Sequence, residues 1–134
     1  MQPSPQAAPV SNKMLWAGRI VSALPVLFLL FDGGAKLVQP APVVEAMVKL
    51  GYPASVIFSL GVVLLASTLL YVIPRTAVLG AILLTGYLGG AVATHVRAQG
   101  SWFAILFPVF VGALVWGGLY LREARLRALV PLRS

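Results

Sequence analysis

Six polar side chains in an otherwise apolar chain have the types and spacing to do chemistry: Asp32, Lys36, Tyr52, Tyr87, His95 and Arg97. Lys36, Tyr87 and His95 can donate hydrogen bonds, and a carboxylate such as Asp32 can orient a histidine and tune its proton affinity. Asp32 and Lys36 are four positions apart, so on a helix they stand side by side. Tyr87, Ala91 and His95 repeat the same interval, which places Tyr87 on the face of His95 about two turns deeper. An ionised carboxylate beside hydrocarbon is costly unless it is paired, so Asp32 calls for a partner, and Lys36, His95 and Arg97 are the candidates. Each residue also has a plainer reading. Asp32 and Lys36 would merely neutralise one another at a helix end, His95 would be an interfacial residue, and Arg97 a solvated loop charge. No metal-ligand spacing accompanies His95, no Ser-His-Asp order is present, and Gly33-Gly34 is too short for a phosphate loop. The chain has no cysteine, which excludes disulfides, thiol redox chemistry and thiolate-held clusters, and its single histidine excludes bis-histidine haem ligation within one chain. No self-sufficient catalytic site is visible.

The elements that must position these residues are transmembrane helices. Of 134 residues, 60% are hydrophobic and 10% charged, with a mean hydropathy of +0.95, far from the soluble norm of about 25% charged. Four runs approach the roughly 20 apolar residues that cross a bilayer: 15–38, 55–73, 77–96 and 102–121. The second and fourth carry no charge, and the third carries only His95 near its end. The first holds Arg19 one turn in and Asp32 and Lys36 at its far end; Arg19 and Lys36 can snorkel to the interfaces. Pro25 and Pro108 should bend the first and fourth spans. The predicted fold is all-α, an antiparallel four-helix bundle over 15–121, with a disordered tail over 1–14 and a basic tail over 122–134.

An even number of spans puts both termini on one side of the membrane. Lys13, Arg19, Arg75, Arg122, Arg125, Arg127 and Arg133 fall on that side and Lys36, Lys49 and Arg97 on the other, so the positive-inside rule places the termini in the cytoplasm. Trp102 and Phe103 at one end of the last span, with Trp116 and Tyr120 towards the other, read as interfacial belts. Arg122, Arg125 and Arg127 read as anchors to anionic lipid. The net charge of +7 does not indicate nucleic-acid binding, because no basic stripe interleaved with exposed aromatics could track a phosphate backbone. Between the first two spans, Pro42, the Glu45/Lys49 pair and the stop at Gly51-Tyr52-Pro53 predict a short interfacial helix across the extracytoplasmic end. That topology brings Asp32, Lys36, Tyr52, Tyr87, His95 and Arg97 to one end, where they could line a polar pocket beneath the connector. On the third span Ala81, Thr85, Gly89 and Ala93 form a small-residue row beside Gly86, Gly90 and Thr94, suited to close packing within the chain or to a dimer seam.

In this order and spacing the motifs resemble the DoxX-like family of small four-span bacterial membrane proteins. The resemblance runs from about Arg19 to Arg97. It is carried by Phe31-Asp32-Gly33 followed by Lys36-Leu37, by Leu50-Gly51-Tyr52-Pro53, Pro74-Arg75 and Leu79-Gly80-Ala81, and by Gly89-Gly90-Ala91 followed by Thr94-His95-x-Arg97. It implies an antiparallel four-helix bundle in the bacterial cytoplasmic membrane, and for function it implies less: relatives are described as small subunits of quinone-linked oxidoreductases or parts of redox-protective complexes. With no intrinsic cofactor, a redox role here would use a bound quinone or the cofactor of a partner subunit. The expectation is therefore an accessory or quinone-binding subunit. A non-catalytic scaffold within a membrane complex is the alternative, and transport, which would need a homo-oligomer, is a third.

Overall fold

The computed structural model describes residues 11–123 and Leu126. Among the described residues the α-helices are α1 (Asn12–Val38), α2 (Ala41–Lys49), α3 (Ile57–Val72), α4 (Ala77–Arg97) and α5 (Trp102–Arg122). All but α2 are long and apolar enough to cross a membrane, α3 and α4 together with the short 3-10 turns Ala54–Val56 and Pro74–Thr76 that lead into them. The anchors predicted at Arg125 and Arg127, with most of both predicted tails, lie outside the described residues.

Local chemistry sets the helix ends. Ser11 caps α1, its Oγ accepting from the Met14 amide at 3.2 Å; the cap starts the helix three residues before the apolar run does, at Asn12. Ser101 caps α5 in the same way through the Ala104 amide. Gln39 ends α1 in the left-handed conformation, and Pro42 sits in the first turn of α2, where its missing N–H leaves no helical bond unmade. Pro25 and Pro108 both lie inside their helices and are buried.

The four long helices form a square. α1 and α4 each pack on α3 and α5, so α1 and α4 face one another across the diagonal. Leu29, Leu64, Leu84, Leu88, Val111, Val115 and Leu119 fill the axis. Only 22% to 33% of each span's most apolar stretch is buried, and the remainder presents Leu, Val, Ile and Phe outward, the arrangement expected when the solvent is acyl chain. Close approach then depends on small residues. Gly80 lies against the Tyr71 backbone, where a Cβ could not be accommodated, and this clamps α4 onto α3 beside their tight turn.

The two ends of the square differ. The end bearing the α3–α4 turn is filled by Tyr71, which is fully buried. Its hydroxyl donates to the Val115 carbonyl at 2.6 Å and lies 3.0 Å from Ser22 Oγ; with one hydroxyl proton already used, Ser22 is the donor of the second bond. The opposite end, covered by α2, is hollow.

Candidate functional site

The hollow is a cavity of about 420 Å³, within the range of about 300–1,000 Å³ typical of small-molecule sites. Phe28 and Leu29 of α1, Leu60 of α3, Leu88 of α4 and Phe107, Pro108 and Val111 of α5 form its apolar wall, while Met47 and Leu50 of the α2 segment roof it. Phe28 and Phe107 meet edge to face, with ring centroids 5.0 Å apart. The polar walls are Asp32, Lys36, Tyr52, Tyr87, Thr94 and His95.

Lys36 supplies the most unusual contact. It is buried, with a residue exposure of 6%, and its ammonium reaches Asp32 Oδ1 at 2.7 Å. Among the three candidates for the partner of Asp32, the geometry selects Lys36. The same ammonium lies 6.0 Å from the centroid of the Tyr87 ring, at the outer limit of a cation–π contact. The carboxylate remains partly accessible, its side chain 33% exposed. An ion pair with one buried and one open partner keeps acceptor and donor capacity available on the cavity side, because three N–H donors and two carboxylate oxygens exceed what one bond uses.

Tyr52 closes the α3 side. Its hydroxyl lies 2.8 Å from Thr94 Oγ1, and since Thr94 donates its own proton back to the Gly90 carbonyl, Tyr52 is the donor. Gly51, at φ +96°, makes the turn that delivers Tyr52. Arg97 departs from the predicted cluster: it is not among the residues lining the cavity. Its guanidinium instead donates to the Leu50 carbonyl at 2.7 Å and lies over Gly51, tying the end of α4 to the end of α2. A long side chain at the last residue of a helix reaches the exposed carbonyls of the neighbouring helix end more readily than it turns back into the bundle.

Several roles were not visible in the sequence. Met47 and Leu50 become the roof, and Phe28 and Phe107 an aromatic wall, through tertiary packing that hydropathy does not encode. Trp116, expected in an interfacial belt, donates through Nε1 to Thr85 Oγ1 at 2.6 Å and so locks α5 to α4. Arg122, expected as a lipid anchor, covers the Tyr71 ring at 4.6 Å and donates to the Tyr71 carbonyl. Tyr120 packs partly buried against the core, whereas Trp102 is 77% exposed at the hollow end. Among the described residues no group of three or more His, Cys, Asp or Glu could hold a metal ion.

A model of the DoxX-like family matches residues 20–118, a stretch that contains every wall of the cavity. No curated protein and no solved structure matches the chain.

Proposed function

The chain belongs to the DoxX-like family, and from that premise we propose that it is a quinone-binding accessory subunit of a membrane oxidoreductase, with the hollow end of the bundle as the headgroup site. The observation that carries this reading is the buried Lys36, paired with a partly exposed Asp32, facing a 420 Å³ space whose other walls are largely apolar and aromatic. A quinone headgroup is a flat apolar ring with carbonyl acceptors at opposite edges. Lys36, Tyr87 and His95, all in the cavity wall, supply donors, while Phe28 and Phe107 supply ring contacts. In this reading Lys36 binds a carbonyl oxygen, Asp32 holds the ammonium in place, and His95, near the end of α4, exchanges protons with the aqueous side. Electrons come from the partner enzyme's redox group.

The same proposal puts the hollow end outside the cytoplasm and both termini within it, supported by the excess of Lys and Arg in the sequence segments on the terminal side of the four spans. It takes the membrane to be a bacterial cytoplasmic membrane.

The test is binding of ubiquinone-1, a headgroup with one isoprene unit, to the full chain in lipid nanodiscs. Asp32→Asn and Lys36→Met are each expected to weaken binding at least tenfold, while Lys49→Met on the exposed face of α2 leaves it within twofold. Equal binding by all four proteins would remove the pocket from consideration.

One observation favours a second reading, that of a scaffold. Thr85, Gly89 and Val92 of α4 with Val109, Gly112 and Ala113 of α5 form an outward apolar groove of about 360 Å³, shaped for a neighbouring transmembrane helix. Crosslinking from Ala113→Cys in native membranes that recovers a defined partner chain would support it, and recovery of the monomer alone would count against it.

A further inference from the structure

We propose that the cavity opens sideways into the lipid through a portal between α3 and α4, and that its occupant is a long-tailed quinone whose head lies inside and whose isoprenoid chain leaves through that portal; this rests on the quinone reading above. Three observations define the opening. First, α3 and α4 touch where Gly80 meets Tyr71, yet Gly86 and Gly90, further along α4, have nothing within 4 Å of the place a Cβ would occupy. Along α4, contact with α3 is thus made at Gly80, while no atom of α3 or of any other helix comes within 4 Å of a Cβ at the two later glycines. Second, Gly86 and Gly90 are exposed and line the cavity, as do Leu60 on α3 and the Tyr52–Thr94 pair. Residues 86, 90 and 94 follow one another at i, i+4 up a single face of α4. The hydrogen-bonded Tyr52–Thr94 pair thus spans the top of the gap, with the two glycines on one side and Leu60 on the other. Third, Gly86 and Gly90 lie about 10 to 17 Å below the end of α4 at 1.5 Å per residue, a depth inside the roughly 30 Å hydrocarbon layer. An opening at that depth faces acyl chains, and water reaches it only through the cavity.

Volume supplies the reason for the tail to leave. A cavity of 420 Å³ lies near the lower end of what drug-sized ligands occupy, so a head and a polyisoprenoid chain cannot both be enclosed. The polar group at the inner side, Lys36 with Asp32, then selects for the head, and the two glycines leave backbone alone along the path of the chain.

The chain has no cysteine, so a single Ala91→Cys substitution places one thiol in the cavity wall. Its labelling in liposomes by N-octadecylmaleimide, which partitions into lipid, is compared with labelling by a sulfonated maleimide confined to water. The expected result is faster labelling by the lipid reagent, reduced at least tenfold by Gly86→Leu combined with Gly90→Leu. Leu60→Trp closes the gap from the opposite side and is expected to act likewise, which guards against misfolding of the glycine variant. Val78→Leu, exposed on α4 near the filled end and in neither groove nor cavity, is expected to leave the rate within twofold. Lipid-reagent labelling that neither blocked variant slows, or faster labelling from water, overturns the portal. So does failure of the lipid reagent to react at all, the outcome expected if a second copy covers the glycines. Ubiquinone-1 binding measured on the same proteins separates the two readings. Labelling that obeys the portal without quinone binding removes the quinone, and quinone binding with labelling indifferent to both blocks removes the portal.

Discussion

The same four helices build two unlike ends. At the filled end the space between them is taken by Tyr71, whose ring is stacked by Arg122 and whose hydroxyl joins α3 to α1 through Ser22 and to α5 through the Val115 carbonyl. At the hollow end the corresponding space is a cavity with an ion pair in its wall. Both ends thus place polar groups in an apolar bundle, but one spends the Tyr71 hydroxyl and carbonyl on its own helices while the other leaves donors facing open volume. On the proposed reading, that division separates stability from binding along the bundle axis: the filled end joins the helices through Tyr71, and the hollow end keeps its volume open.

The largest expected effect is at Tyr71. Tyr71→Ala removes a fully buried ring together with both of its hydroxyl bonds, and is expected to lower stability by about 3–5 kcal/mol, measured by reversible unfolding in mixed micelles. Tyr87→Ala at the hollow end removes a half-buried ring that packs on the core but also borders the cavity, and a smaller loss of about 1–2 kcal/mol is expected. If the two losses were equal, the distinction between the ends would fail. Gly80→Ala should follow, since its added methyl meets the Tyr71 backbone and backbone yields less easily than a side chain; about 1–3 kcal/mol is expected from such overpacking. Lys36→Met sharpens the comparison from the other side. A lost hydrogen bond to a charged group is worth about 1.5–3 kcal/mol, reduced here because Asp32 is partly solvated. The same change is expected to weaken ubiquinone-1 binding at least tenfold. Pairing it with Asp32→Asn should restore most of the stability and none of the binding.

One side of this contrast was legible in the sequence, and the unequal legibility of the two ends has a physical cause. Hydropathy places the four spans because each must satisfy its backbone within lipid, and the parity of spans brings Asp32, Lys36, Tyr52, Tyr87 and His95 to one end before any contact is known. The Asp32–Lys36 pair is readable because it is local, at i, i+4. Arg97 shows the limit of that reasoning: topology fixes its depth, but its direction depends on where the Leu50 carbonyl lies. The filled end gave no comparable signal. Ser22 and Tyr71 are 49 positions apart, Tyr71 and Val115 are 44 apart, and neither pairing has a periodicity to betray it. Tyr71 and Arg122 sit near helix ends, where aromatic and basic residues ordinarily serve the interface, so their inward turn could be found only once α1, α3 and α5 were packed together.

The smallest expected effect is the most discriminating for the α3–α4 pair, because it contrasts two glycines on one helix. Gly80 packs against backbone, whereas Gly86 has open space around it. If that space is part of a passage to lipid, a methyl group there meets no neighbour. Gly86→Ala should then leave stability unchanged or raise it by up to about 1 kcal/mol, the usual gain from replacing glycine within a helix. The opposite sign, a loss of about 1 kcal/mol or more that depends on protein concentration in the bilayer, would mean that another helix rests on Gly86. Unfolding measured for Gly80→Ala and Gly86→Ala over a range of protein-to-lipid ratios distinguishes these cases. A concentration-independent difference in sign between the two variants is what a clamp at one end and a gap at the other require.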